Sequence, residues 1–226
     1  MGNAHESLVR RLRGERIPLW LKIVYTAFCG ALVPYYAIQY GPVNFLWFCD
    51  VALLITLLAL WLESPILASM QAVAIVLPQL MWAVDFVVRL VAGVHIVNLT
   101  EYMFDPTIPL FVRGLSLFHG WLPFLLLWLV WRLGYDRRAL HAQTLVCWLD
   151  LLLCYLMVDD PKGRAGNVNK ILGMNDDVPQ TSMSPLHWLA LLMAAYPLCV
   201  YVPTNLVFWW LAPTVEQRAK AGAGNT

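Results

Sequence analysis

Cys49, Asp50 and His119 have the most chemistry to offer in this chain, and all three stand inside long apolar runs. Cys49 and Asp50 close the stretch Gly41-Pro-Val-Asn-Phe-Leu-Trp-Phe-Cys-Asp50, and His119 stands in Phe118-His-Gly-Trp-Leu-Pro123. A carboxylate inside a lipid-spanning helix costs about 2.5–3.5 kcal/mol on insertion scales, so Asp50, Asp85 and Asp150 should face protein or water. A neutral buried imidazole can take a proton from a thiol, and an activated thiol attacks an acyl carbonyl. The candidate catalytic set is therefore Cys49 as nucleophile, His119 as base, and Asp50 or Asp85 orienting the imidazole or holding its charge. Adjacent helical residues point about 100° apart, which predicts that Cys49 and Asp50 do not both face a site squarely.

The elements that must position these groups follow from composition. Of 226 residues, 60% are hydrophobic and 13% charged, with a mean hydropathy of +0.64. Soluble domains have roughly 45–50% apolar and about 25% charged residues, so an all-α polytopic membrane bundle is expected. The net charge of +1 and the lack of a basic stripe away from membrane-flanking positions exclude a nucleic-acid partner. Five cysteines in apolar runs, without a CxxC pair, argue against a disulfide framework or a cysteine zinc site.

Residues 1–17 form a basic arm, and the apolar runs place six transmembrane helices within residues 18–211, followed by a tail over 212–226. The spans are predicted at 18–40, 42–62, 65–90, 110–133, 139–158 and 186–211. Pro78 should bend the third, and Pro197 or Pro203 the sixth. Ala219–Thr226 reads as a disordered run of small residues. With both termini inside, the inner face carries Arg10, Arg11, Arg13, Arg16, Lys22, Arg132, Arg137, Arg138, Arg218 and Lys220. The outer face then carries only Arg89, Arg113, Lys162, Arg164 and Lys170, which favours cytoplasmic termini. The first span tolerates Lys22, which is able to snorkel.

In this orientation Cys49, Asp50, Asp85, His119 and Asp150 all fall in the outer half, with Cys49 and Asp50 about 10–12 Å and His119 about 13 Å deep at 1.5 Å per residue. Asn44 and Trp47 flank them, and the two long outer connections, 91–109 and 159–184, bring His95, Glu101, Asn167 and Asn169 to the mouth. With Asp150, these are the candidate substrate-binding residues. Gly120 offers a close approach beside His119.

The order of Asn44-Phe-Leu-Trp-Phe-Cys49-Asp50, Phe118-His-Gly-Trp-Leu-Pro123, Gly134-Tyr-Asp-Arg137, Gly166-Asn-Val-Asn169 and Ser184-Pro-Leu-His-Trp188 resembles the YwaF-like integral membrane proteins. Those are in turn similar to the androgen-dependent intramembrane hydrolases, which cleave fatty-acid esters of hydroxy fatty acids. Over about residues 40–210 the resemblance implies Cys49 as nucleophile and His119 as base.

The expected function is thus a lipid-acting acyl hydrolase or acyltransferase with membrane lipids or an acyl chain as its partner. Thiol chemistry needs no cofactor. Three other classes remain open. One is a metal-dependent intramembrane hydrolase, with a divalent ion on Asp50, Asp85, His119, His95 or Glu101, although no HExxH or HxxxH pair is present. Another is a proton- or cation-coupled transporter or binding protein, and the last is a structural bundle whose polar residues tie helices together.

Overall fold

The computed structural model describes residues 17–94 and 96–223. The helices are α1 (Leu19–Gln39), α2 (Phe48–Leu62), α3 (Pro65–Ala92), α4 (Leu110–Ser116), α5 (Phe118–Leu133), α6 (Ala139–Met157), α7 (Pro185–Tyr196), α8 (Val202–Leu211) and α9 (Val215–Ala223). Short 3₁₀ turns at Pro42–Leu46, Glu101–Met103 and Val168–Lys170 complete the site region. The fold is an all-α polytopic bundle, compatible with an integral membrane protein. Among the described residues five segments are long and apolar enough to cross a membrane: α1, α3, α4 with α5, α6, and α7 with α8. The basic arm over 1–16 lies outside the described residues.

The second expected span, 42–62, divides. Pro42–Leu46 winds as a 3₁₀ turn, Trp47 is extended (φ −59°, ψ 130°), and α2 starts afresh at Phe48 with 15 residues. At 1.5 Å per residue the 15 residues of α2 cover about 22 Å, short of a hydrocarbon core of about 30 Å, and the 3₁₀ turn precedes them across the break at Trp47. Cys49 and Asp50 are therefore the second and third residues of a helix, not two turns inside one.

α3 is the central helix and packs against α2, α5, α6 and α8. Its residues from Ala68 to Val76 are all buried, as a helix surrounded on every side requires. Ala68, Ser69, Ala72 and Ala74 keep that stretch narrow, so that neighbouring backbones come close. Pro78 lies inside α3 without ending it. In the last span Pro197, which has no N–H to give, opens a π turn over Pro197–Tyr201 between α7 and α8, the earlier of the two expected bends.

Two further expectations are corrected. Lys22 is buried rather than snorkelling, because it forms an ion pair with Glu63 Oε1 at 2.9 Å, and the same oxygen accepts the Ile17 N–H at 3.2 Å. The run after residue 214 is helical through Ala223. The sequence Thr214-Val-Glu-Gln217 makes a capping box: the Thr214 N–H donates to Gln217 Oε1 at 2.7 Å, and the Gln217 N–H to Thr214 Oγ1 at 3.3 Å.

That helix is anchored to the α5–α6 turn. The Tyr135 N–H donates to Pro213 O at 2.7 Å, and the Tyr135 hydroxyl donates to Asn205 Oδ1 at 2.6 Å. Gly134 has φ +95°, and a Cβ there would stand 2.6 Å from Val215 Cα. Gly134→Ala is therefore expected to destabilise the protein by more than about 1 kcal/mol, read as a lower melting temperature in detergent. An unchanged melting curve would show that this turn and α9 do not meet.

Candidate functional site

A cavity of about 930 Å³ opens among α1, the start of α2, α3 and the first turn of α5. Of the residues singled out by sequence, Asn44, Trp47, Cys49, Asp50, His119 and Glu101 line it. Cys49 and His119 stand in the first turns of α2 and α5, because both helices restart there, α2 after Trp47 and α5 after a turn at Leu117. The first turns of two helices thus border one space, although the N–H groups of Phe48, Asp50, Val51 and Gly120 already have partners within the protein. Cys49 and Asp50 both line the cavity although adjacent, since a space of this size wraps around the end of α2.

His119 has a fixed tautomer. Nδ1 lies 2.7 Å from the Ser116 carbonyl oxygen, which only accepts, so Nδ1 carries the proton and Nε2 of the neutral ring is the basic nitrogen. Stacking on Phe118 and Trp82, with ring centroids 4.1 and 5.2 Å away, holds the imidazole plane. A methyl group at Gly120 would meet Trp82 at an ordinary 3.8 Å, so the close approach expected at Gly120 is not used. No hydrogen bond joins His119 to Cys49.

Asp50 is 3% exposed. Asn44 Nδ2 donates to its Oδ2 at 3.1 Å, while its Oδ1 has no hydrogen-bond partner among the described residues. The facing wall is aromatic: Trp82 Nε1 donates to the Tyr102 hydroxyl at 3.2 Å, and the Tyr36 hydroxyl pairs with Ser116 Oγ at 3.3 Å. Neither tyrosine nor Ser116 was among the expected site residues. The signal available was that a tyrosine within or beside a span must find a partner for its hydroxyl.

Asp85, by contrast, does not line the cavity. Its Oδ1 accepts the N–H groups of Ile96 (2.8 Å) and Val97 (3.0 Å), and its Oδ2 those of Leu99 (3.0 Å) and Thr100 (3.1 Å) with the Thr100 hydroxyl (2.8 Å). The carboxylate folds the loop after α3 around itself, and the loop then delivers Glu101, Tyr102 and Asp105 to the cavity wall. At the rim, the Thr107 hydroxyl (2.7 Å) and N–H (2.8 Å) bond Asp105 and hold its carboxyl below the usual range, which keeps this charge negative. His95 lies outside the described residues.

Asp150, Asn167 and Asn169 also leave the cavity lining, for a related reason. Asn169, itself in the left-handed region (φ 50°), accepts the Phe48 N–H at 3.1 Å and donates to Leu46 O at 2.7 Å and Asp150 Oδ2 at 2.8 Å. The Tyr196 hydroxyl donates to its carbonyl at 3.1 Å, and Trp47 Nε1 to Ala165 O at 3.1 Å. Asn167 closes its own loop, donating to Gly173 O (2.8 Å) and Asn175 O (3.0 Å) and accepting the Leu172 N–H (3.0 Å). The five-residue metal set expected from sequence is thus divided, with Asp85 on the loop side. Among the described residues no three His, Cys, Asp or Glu side chains stand together as a metal site.

No family model, curated protein or solved structure matches this chain. The site must therefore be read from its own geometry: a thiol, an imidazole with its basic nitrogen free, and a half-paired carboxyl around one cavity.

Charge-assisted hydrogen bonds contribute about 1.5–3 kcal/mol each, so Asp85→Ala is expected to free the 94–109 segment. Limited proteolysis should cut there faster while the α5–α6 turn stays resistant. A cleavage pattern identical to the parent would mean that other contacts hold the loop.

Proposed function

We propose that the chain is an intramembrane acyl hydrolase or acyltransferase in which Cys49 is the nucleophile and His119 the general base. The observation that carries this reading is that both side chains line one 930 Å³ cavity while the Ser116 carbonyl fixes the His119 tautomer with Nε2 unprotonated. In the first step the Cys49 S–H gives its proton to Nε2, and the sulfur attacks the ester carbonyl carbon. The C–S bond forms as the carbonyl electrons move to oxygen, in a space lined by the N-terminal turns of α2 and α5. Collapse breaks the C–O bond, and the departing alkoxide takes the proton from the His119 imidazolium. Water, or a second alcohol, then gives its proton to His119 and attacks the thioester, and the sulfur leaves and is reprotonated. The two side chains are not hydrogen-bonded here, so a bound ester has to complete their alignment, as catalytic contacts often tighten only with substrate.

The resemblance of the Cys49 and His119 segments to the YwaF-like proteins supports the same roles. The excess of Lys and Arg on one side supports both termini inside and the cavity facing out, and the resemblance to bacterial membrane proteins supports a bacterial cytoplasmic membrane. A second reading, a proton- or cation-coupled transporter or binding protein, is favoured by the unpaired Oδ1 of Asp50.

Purified protein in detergent is expected to hydrolyse a long-chain acyl ester. His119→Ala should slow turnover by about 10²–10⁴-fold, the usual contribution of a general base, and Cys49→Ala should abolish it. Full turnover in Cys49→Ala would remove Cys49 from the role. Proton-coupled uptake into liposomes that Asp50→Asn eliminates, without any ester cleavage, would favour the transporter.

A further inference from the structure

The acyl-transfer scheme uses the sulfur of Cys49 and Nε2 of His119 but leaves Asp50 without a task. Its carboxyl group is buried, it lines the cavity, and Oδ1 lacks a partner among the described residues although Oδ2 is bonded to Asn44 at 3.1 Å. A buried carboxyl oxygen in an apolar bundle needs a partner, and the open side of Asp50 is the cavity.

The missing partner can be identified by what Oδ1 can do. If Asp50 is ionised, Oδ1 only accepts, and its partner must donate. If Asp50 is protonated, Oδ2 is already an acceptor from Asn44, so the proton sits on Oδ1 and its partner must accept. An ammonium group fits the first state alone, and an ester or ether oxygen the second alone. A hydroxyl fits both. The surrounding charges add a sign: Glu101 and Asp105 line the same cavity, and its two cations are both engaged, Lys170 by Asp176 at 2.5–2.6 Å and Arg89 by the Gly93 carbonyl and the Phe104 ring. An anionic headgroup would meet three carboxyl groups.

The geometry points to a polyol subsite at Asp50, which binds a hydroxyl of the alcohol portion of the substrate. Resting on the acyl-transfer reading, this makes the substrate class neutral long-chain acyl esters of glycerol-type alcohols rather than esters whose alcohol portion bears a free carboxylate. Asp50 holds the leaving alcohol on the α2 side of the cavity, next to the Cys49 sulfur that attacks the acyl carbon. Asn44 is a positioning residue that fixes the carboxyl plane.

Binding can be read without turnover. Three ligands that cannot be hydrolysed share one chain: hexadecyl glycerol ether, with two hydroxyls; hexadecyl methyl ether, with none; and hexadecyloxyacetate, with a carboxylate. Equilibrium binding is measured with protein in nanodiscs, and the same ligand is compared between wild type and Asp50→Leu so that partition into the bilayer cancels. With each ligand's partition into protein-free nanodiscs subtracted, the wild type is expected to bind the glycerol ether about tenfold tighter than the methyl ether, the scale of one buried hydrogen bond, and the oxyacetate weakest. Asp50→Leu should lose the preference for the glycerol ether. Equal binding of all three ligands to wild type, or tightest binding of the oxyacetate, would overturn the subsite without any variant. So would a preference that survives in Asp50→Leu. Ester turnover by the wild type, assayed in parallel, tests the acyl-transfer reading separately: the ligand preference without turnover counts against that reading alone, and turnover without the preference counts against the subsite alone.

Discussion

Everything about the site depends on how an apolar bundle satisfies its buried polar atoms. When the chain stops being helical at Trp47 and starts again at Phe48, the Leu46 carbonyl and the Phe48 N–H lose regular helical partners. Asn169 meets both, and Asp150 in turn holds the Asn169 amide. That one side chain from a distant loop therefore permits the break, and the break is what sets Cys49 and Asp50 in a first turn open to the cavity. Unpaired backbone groups at membrane depth cost several kcal/mol, so the second span and the 159–184 connection stand or fall together.

The same rule organises the opposite wall. Asp85 gathers four backbone N–H groups and a hydroxyl from residues 96–100, which lets an otherwise irregular loop sit against the bundle and present Tyr102. Trp82, on the same helix as Asp85, bonds the Tyr102 hydroxyl and stacks on His119, so loop, helix and imidazole are positioned as one unit. Two carboxylates, Asp85 and Asp150, thus serve the loops that wall the cavity, and a third, Asp50, is left half-paired inside it. The contrast separates a structural carboxylate from one that awaits a ligand.

The helical bundle was legible in the sequence because apolar runs of membrane length have few other solutions. The cost of polar side chains in a span picks out Cys49, Asp50 and His119, the flanking Asn44 and Trp47 come with them, and the 91–109 connection supplies Glu101; all six line one cavity. The roles of Asp85, Asp150, Asn167 and Asn169 were not legible. Insertion cost says that a polar group must find a partner, but it does not say whether the partner is a loop amide or a substrate. The break at Trp47 was hidden as well, because nothing in Asn44-Phe-Leu-Trp-Phe48 stops a helix locally; an asparagine more than a hundred residues later stabilises the interruption. The helix after Thr214 carried a readable capping box that the run of small residues beyond it obscured.

The central claim is that Cys49 carries the acyl group during turnover. Intact-mass analysis and peptide mapping after brief exposure of the purified protein to a long-chain acyl ester test this most directly. The account predicts one acyl increment, located on the peptide that contains Cys49, released by hydroxylamine at neutral pH as a thioester is, and absent in Cys49→Ala. An increment on another residue, or ester turnover without any acylated Cys49 under conditions that trap the intermediate, would contradict it.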